Sequence, residues 1–355
     1  IAKDSQVRAV ASGTLSSGKP IVVNSDGTVS VVEETTTTEA LGTEGAFNSA
    51  TSSFFTTVFD SSNNKHIIVY RTSSNMRYVV ATVASDGGVT FGTDAVVEAS
   101  DNQQIASVFD STNNRIVVVY RRGNDSNHGY AIVGSLSGTT VTWGSATEFN
   151  NAGTTGLGIS FDSTAGKVVI GYRDQGNSNY GTAIVGTVSG TSISFGTEVV
   201  FNSGSTNVVR PVYDSTNDKT VILYRDDGNS SYGTAIVGTV SGTSISFGSE
   251  VVFESASVSY LGGAFDSDTG KVVVAYRDDG NSNDGTAIVG TVSGTSISFG
   301  TPVVFDDDGD YGENTANSVI YDSNAKKVLV VYPRTLSGSY SNRGFVFPLK
   351  VSGIS

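Results

Sequence analysis

The sequence repeats itself six times, and this periodicity constrains the fold more than any other feature. An aromatic residue followed by Asp and Ser recurs with its Asp at positions 60, 110, 162, 214, 266 and 322. In every copy a cation stands five residues after that Asp and a tyrosine ten residues after it. A period of about 50 residues is typical of proteins that repeat one small structural unit.

Each repeat reads as four short strands. The fourth copy gives β-branched, turn-bounded runs at Asn207 to Asp214, Lys219 to Arg225, Gly233 to Val240 and Thr243 to Phe253. In the first turn the Asp can cap backbone amides, and the residue before the cation suits a left-handed conformation. No segment has a 3.6-residue amphipathic period, so the sequence predicts an all-β fold.

Four-stranded antiparallel units of this size match the blades of a β-propeller. We therefore predict a six-bladed propeller over residues 37–355. The repeats lie near 52–101, 102–153, 154–205, 206–257, 258–313 and 314–355. The last repeat ends before its fourth strand, whereas Gly42 aligns with the glycine that begins that strand elsewhere. Residues 38–47 are thus predicted to complete the last blade and remove its open edge.

Residues 1–36 precede the six repeats and do not show the repeat pattern. Pro20 to Val32 reads as a hairpin around an Asn-Ser-Asp-Gly turn, followed by a polar tether from Glu33 to Thr38. A lone hairpin is only marginally stable in water. It is expected to pack on its own ring or to attach the propeller to a larger assembly, the remaining alternative being disorder.

Composition limits the partners. The 355 residues carry a formal net charge of -13 and no cysteine. A surface of that sign repels phosphate backbones and anionic lipids, so neither nucleic acid nor a membrane is an expected partner. No apolar run reaches the roughly 20 residues of a membrane helix.

The leader from Ala11 to Val29, followed by repeats of the Tyr-Arg-Asp-Asp-Gly-Asn type, resembles β-propeller repeat proteins of marine bacteriophages, especially cyanophage virion and tail-fibre proteins. The resemblance covers the leader and the repeats and carries no catalytic residues. It implies a location on the virion surface or outside the cell, with residues 1–36 anchored to the virion and the propeller displayed.

Candidate binding residues lie in the loops between the second and third strands of repeats two to five, which should share one face with the connections between repeats. Carboxylates, amides and guanidinium groups suit sugar hydroxyls, aromatic rings suit sugar C–H faces, and several weak sites can add up. The predicted residues are Arg121, His128, Arg173, Asp174, Asn177, Tyr180, Arg225, Asp226, Asn229, Tyr232, Arg277, Asp278 and Asn281. The alternative is that these are only good turn formers in which each Arg pairs with a neighbouring Asp.

Two further positions stand out. Four extra residues lengthen an acidic stretch in which Asp306, Asp308 and Asp310 could bind Ca²⁺ through oxygen ligands, the alternative being a solvated loop. No other cofactor is expected. Arg210 occupies a first-strand position where the other repeats carry small residues. We expect it to form an ion pair or to meet an anion.

Catalysis is the less favoured interpretation. Residues 181–196, 233–248 and 285–300 are identical, which favours repeated binding over an active site spread across unlike blades. The sequence therefore predicts a non-enzymatic, adhesin-like propeller that binds a cell-surface glycan or a partner protein. Two alternatives stay open: a purely structural virion decoration or assembly protein, and a glycosidase, which needs only two suitably spaced carboxylates.

Overall fold

The computed structural model describes residues 10–11, 21–23, 28–31, 45–73, 75–84, 87–307, 318–335 and 342–351. These residues form strands, turns and connections without a helix, so none of them forms a helix long and apolar enough to cross a membrane. The all-β prediction is confirmed. The chain divides into two compact units, Ile1–Thr43 and Glu44–Ser355. The predicted boundary at 36/37 stays a prediction.

The first unit contains a three-stranded sheet of β1 (Val10–Ala11), β2 (Ile21–Val23) and β3 (Thr28–Val31), in the order β1-β3-β2. β2 and β3 are antiparallel and pair Ile21 with Val31 and Val23 with Val29, so the two strands of the predicted hairpin lie side by side. β1 adds to β3 in parallel. Residues 24–27, the predicted turn, lie outside the described residues.

In the second unit each repeat forms an antiparallel sheet. The first repeat contains β4 (Ser52–Asp60), β5 (Lys65–Thr72), β6 (Asn75–Val83), β7 (Val89–Phe91) and β8 (Ala95–Glu98). The second contains β9 (Asn102–Asp110), β10 (Arg115–Arg122), β11 (His128–Ser137), β12 (Thr140–Trp143) and β13 (Thr147–Asn150). The outermost strand is interrupted, so that β7 and β8 both pair with β6, and β12 and β13 both pair with β11.

The remaining repeats follow the same order. The third contains β14 (Thr154–Asp162), β15 (Lys167–Asp174), β16 (Tyr180–Ser189) and β17 (Ser192–Phe195). β18 (Val199–Asp214) closes it and opens the fourth, which continues with β19 (Lys219–Asp226), β20 (Tyr232–Ser241) and β21 (Ser244–Phe247). β22 (Val251–Asp266) leads into the fifth, with β23 (Lys271–Asp278), β24 (Asp284–Ser293), β25 (Ser296–Phe299) and β26 (Val303–Asp306). The sixth contains β27 (Ser318–Asp322), β28 (Lys327–Thr335) and β29 (Asn342–Leu349).

The first turn of each repeat has the predicted chemistry. In the fourth repeat, Asp214 Oδ1 accepts hydrogen bonds from the backbone N–H of Thr216 at 2.9 Å and of Asn217 at 3.0 Å. The residue before the cation has a positive φ in every copy, including Lys326, a residue type that seldom adopts this conformation. These positions are Asn64, Asn114, Gly166, Asp218, Gly270 and Lys326.

Successive repeats pack face to face. Along β10, Ile116 and Val118 pack in one core with the first repeat, whereas Val117 and Val119 pack in another with the third. Both faces of the sheet are buried, which explains why the middle strands are uninterrupted apolar runs. The first strands contact one another in order, β4 with β9, β9 with β14, β14 with β18, β18 with β22 and β22 with β27.

A large cavity of about 1420 Å³ lies along these first strands. It is lined by side chains from β4, β9, β14, β18 and β27, including Thr56, Ser107, Arg210 and Ile320. The first and sixth repeats therefore line the same cavity as the second, third and fourth repeats.

Five repeats bury the tyrosine at the end of the second strand against a phenylalanine from the segment before the repeat, whereas Tyr120 of the second repeat stacks on Tyr130. The ring centroids of Phe149 and Tyr172 are 5.2 Å apart, and those of Phe201 and Tyr224 are 5.1 Å apart. Each hydroxyl also has a carboxylate beside it. That carboxylate comes from the tyrosine's own repeat for Tyr70, Tyr172 and Tyr224, and from the preceding repeat for Tyr120, Tyr276 and Tyr332.

Candidate functional site

The loops between second and third strands lie beside the connections between repeats, as predicted. The backbone N–H of Gln175 donates to the carbonyl of Gly153 at 2.8 Å, so one connection is fixed to the loop of the third repeat. The N–H of Thr206 donates to the carbonyl of Asn179 at 3.0 Å, so the same loop is fixed to the next connection. Loops and connections therefore build one continuous polar face.

The predicted arginines are held within this face. Arg225 and Arg277 each place Nε 2.6 Å from a carboxylate two residues on, that of Asp227 and Asp279. Arg173 Nε donates to the side-chain oxygen of Asn179 at 3.0 Å. Arg121 donates to the side chain of Gln103. All four are only partly exposed. Two of them pair with a neighbouring Asp, as the turn-forming alternative expects, and the other two bond to side-chain amides.

The predicted carboxylates Asp174, Asp226 and Asp278 are buried. Oδ1 of Asp174 accepts from the N–H of Gly176 at 2.9 Å, and Oδ1 of Asp278 accepts from the N–H of Gly280 at 3.0 Å. Capping a tight turn draws these side chains inward. This geometry gives Asp174 and Asp278 a role in forming the turns, and direct ligand contact by the three carboxylates stays a prediction.

The predicted amides Asn177, Asn229 and Asn281 are exposed, and Tyr180 and Tyr232 are half-buried beside them. These five side chains keep the accessibility that the prediction requires. They lie in three different loops. The structure therefore repeats the same elements around the face and does not bring them into one site.

One position varies among the four loops, where the residues are His128, Tyr180, Tyr232 and Asp284. His128 pairs its Nδ1 with Glu148 Oε1 at 2.6 Å. Asp284, at the corresponding place in the fifth repeat, is buried, and burial together with the nearby carboxylates of Asp307 and Asp278 raises its pKa. The second and fifth repeats thus carry different side chains, an imidazole and a buried carboxyl group, at the same structural position.

A polar groove lies between the second and third repeats. It encloses about 320 Å³ and is lined by Glu148, Phe149, Asn150, Asn151 and Glu198. Glu148, Asn151 and Glu198 are exposed. Phe149 is buried, and Asn150 is occupied in bonds to its own connection. The groove therefore presents two carboxylates and one amide.

Both carboxylates are oriented by neighbours. Glu198 Oε1 accepts from the hydroxyl of the buried Tyr172 at 2.5 Å, and Glu148 is oriented by His128. The sequence reasoning named His128 and missed Glu148, Asn151 and Glu198. A signal was present, because the position of Glu148 is Val in four of the other five repeats, at 96, 200, 252 and 304.

The calcium prediction is only partly covered by the structure. Asp306 is buried beside Tyr332, and together with desolvation its carboxylate raises the pKa of that tyrosine. Asp308 and Asp310 lie outside the described residues. Within the part of the chain that is described, no group of three or more His, Asp or Glu side chains could hold a metal ion. Calcium binding stays a prediction, tested by whether Ca²⁺ raises the melting temperature of the wild type more than that of Asp306→Asn.

Comparison with solved structures shows that other proteins share the fold of this chain. The lectin BP39L from Burkholderia pseudomallei superposes with a TM-score of 0.55 at 10% identity, covering 85% of this chain and 99% of that chain. A protein from Lactobacillus plantarum gives 0.53 at 11% identity, covering 96% and 95%. A triple mutant of AofleA from Arthrobotrys oligospora gives 0.51 at 9% identity, covering 84% and 87%.

No protein-family model matches the chain, and no curated protein matches its sequence. The likeness to these solved structures is therefore one of fold. It extends over most of the second unit, well beyond a single repeat.

Proposed function

We propose that this protein is a non-enzymatic, glycan-binding six-bladed β-propeller whose best-built binding site is the groove between the second and third repeats. The observation that carries the proposal is the pair of oriented, exposed carboxylates, Glu148 and Glu198, with the amide of Asn151 beside them. Carboxylates accept two hydrogen bonds from vicinal hydroxyls, and an amide both donates and accepts. The lectin BP39L, with the same overall fold, supports this choice of ligand class.

The half-buried Tyr180 and Tyr232 and the exposed Asn177, Asn229 and Asn281 supply further contacts on the same face. Repetition allows several weak contacts to act on one polymer. A polysaccharide therefore fits this surface better than a single monosaccharide does.

The experiment is binding of the intact protein to a glycan array, followed by titration with the strongest glycan. Glu148→Gln and Glu198→Gln should each weaken binding about tenfold, the effect of losing roughly 1.4 kcal/mol. Glu250→Gln is the matched control, because Glu250 stands at the same place one repeat further on, opposite Val200. Equal loss in all three variants, or no glycan bound by the wild type, would contradict the site.

The same variants separate the alternatives. Two exposed carboxylates facing one groove are the arrangement that a glycosidase uses. Release of reducing sugar by the wild type that Glu148→Gln or Glu198→Gln abolishes would replace the binding proposal with a hydrolase. Ordered self-assembly that requires residues 1–36, without any glycan bound, would favour the purely structural role.

Closure of the ring belongs to the same proposal. Phe47 lies 5.2 Å from Tyr70 and 5.7 Å from Phe91 between ring centroids, which repeats the contact of Phe149 with Tyr172 and Phe195. The segment that ends at Phe47 thus contacts the first repeat in the way that the last strand of the second repeat contacts the third repeat. Large apolar side chains of the first and sixth repeats are exposed to the shared cavity: Phe55, Phe59, Ile320 and Val331.

These features support closure of the sixth blade by residues 38–47, most of which lie outside the described residues. Deleting residues 1–36 should leave the melting temperature within a few degrees of the intact protein, whereas deleting residues 1–47 should lower it sharply or cause aggregation through the open edge. Equal stability of the two truncated proteins would contradict closure by this segment.

Attachment through residues 1–36 and a virion-surface or extracellular location remain proposals that rest on the resemblance of the leader and repeats. Detection of this chain in purified virions, with loss of incorporation when residues 1–36 are deleted, is the corresponding test.

A further inference from the structure

Arg210 differs from its counterparts in the other repeats. It lies on β18 and lines the cavity of about 1420 Å³ along the first strands. The corresponding positions carry small side chains, namely Thr56, Ala106, Gly158, Gly262 and Ser318. Arg210 is the one Lys or Arg side chain in the described lining of this cavity, which also contains the polar side chains of His66 and Asp322.

Hydrogen bonds fix only one end of the guanidinium group. Nη1 donates to the carbonyl of Val209 at 2.9 Å and to that of Leu157 at 3.2 Å. No ion pair joins Arg210 to a carboxylate among the described residues, so the ion pair expected from the sequence is not found there. Burial lowers the pKa of Arg210, and no neighbouring carboxylate offsets the effect.

The neighbouring strand is held close to this position. A Cβ added to Gly158 would lie 2.6 Å from the carbonyl oxygen of Val209 and 2.8 Å from Cδ of Pro211. Only glycine lets β14 approach so near, and this approach brings the carbonyl of Leu157 to Nη1. The two backbone carbonyls thus hold the guanidinium group of Arg210 in place.

The remaining edge of the group carries Nε and Nη2, and neither has an acceptor among the described residues. Two parallel N–H donors in this arrangement match the two oxygens of a carboxylate, sulfate or phosphate. A protein of formal net charge -13 repels anions in general, so an anion is best bound by a cation that no carboxylate already pairs, and Arg210 has no such partner among the described residues.

We propose that Arg210 forms an oxyanion-binding site in the central cavity, separate from the glycan groove, that holds a carboxylate, sulfate or phosphate group through Nε and Nη2.

The test uses the intact protein labelled with ¹⁵N and follows the arginine Nε–Hε resonances by NMR. The Arg210 signal is identified by its absence from Arg210→Lys. Sodium acetate and sodium sulfate are titrated in separate samples against sodium chloride at matched ionic strength. We expect the Arg210 resonance to shift and saturate with acetate or sulfate, and not with chloride, while the resonance of Arg225, paired with Asp227, stays in place.

Two results would overturn the proposal. Linear shifts of equal size at both arginines would show general screening by salt. An Arg210 signal that no added anion moves would show that the edge is already occupied, for example by a carboxylate of this chain outside the described residues. Saturation by acetate alone or by sulfate alone distinguishes a planar from a tetrahedral anion.

A second measurement does not depend on signal assignment. A saturating anion stabilises a folded protein by mass action, so acetate or sulfate should raise the melting temperature of the wild type above that in chloride. Arg210→Gln should lose this increment, and Glu148→Gln should keep it. Loss in both variants, or no increment in the wild type, contradicts the site. Because Glu148 belongs to the groove, glycan binding can fail while this result stands.

Discussion

The buried tyrosine of the fourth repeat allows a sharp energetic test. Tyr224 is fully buried, and its hydroxyl donates to Glu250 Oε1 at 2.7 Å. Glu250→Leu replaces the acceptor with an apolar side chain that also keeps water away from the hydroxyl. A buried donor left without an acceptor costs about 1–3 kcal/mol. We therefore expect the free energy of unfolding to fall by about 2 kcal/mol.

Two compensating changes follow from the structure. Removing the donor as well, in Tyr224→Phe with Glu250→Leu, should recover most of the loss, because replacing both partners by apolar groups is nearly neutral. Asn202→Glu should also recover part of it. In the next repeat, where Pro302 stands at the position of Glu250, Glu254 takes over by accepting from Tyr276 at 3.0 Å.

The measurement is urea denaturation of the intact protein, followed by Trp143 fluorescence and by circular dichroism, whose coincidence checks two-state behaviour. Glu250→Gln, which keeps a neutral acceptor, is the control and should lose less than Glu250→Leu. A loss below about 0.5 kcal/mol in Glu250→Leu, or a double variant as unstable as the single one, would refute the reasoning that an unsatisfied hydroxyl governs this site.

Three further predictions use the same unfolding assay. Burial and Asp94 raise the pKa of Tyr70 to about 12. The free energy of unfolding should therefore hold below pH 10 and decline from pH 10 to 12, because the unfolded chain loses the tyrosine proton first. Reversible ionisation of all tyrosines near pH 10, read at 295 nm in the folded protein, would contradict this. Gly196→Ala should cost about 1–3 kcal/mol, because its Cβ would lie 1.8 Å from the carbonyl oxygen of Thr243, whereas Thr197→Ala at the exposed neighbouring position should not. Asp214→Ala should cost about 1–3 kcal/mol through two uncapped amides, and an unchanged urea midpoint would exclude the capping role.

Much of the fold could be read from the sequence because its signals are local. The Asp cap and the left-handed residue before the cation lie within four residues of each other, so the turn at Asp214 to Asp218 could be predicted without tertiary information. Lys326 shows the limit of that reading. A lysine is not typical of this position, yet Lys326 keeps the turn with a φ of 52°.

The candidate site depended on contacts that sequence distance hides. Glu148 meets His128 from 20 residues away, and Glu198 meets Tyr172 from 26 residues away. Asp174 and Asn177 look equally available in the sequence, yet capping turns the first inward and leaves the second exposed. The residue type determines the chemistry of a side chain, but the neighbours that bury it determine whether a ligand can reach it.

The sequence alone determined the repeat length, the strand and turn order and the all-β class, because alternation of apolar residues and turn chemistry act over a few residues. Only the tertiary structure decided that Arg210 has no carboxylate partner among the described residues and that two glutamates share one groove. Those outcomes depend on how neighbouring sheets pack, and electrostatic pairing is decided by distances of a few ångströms between residues far apart in the chain.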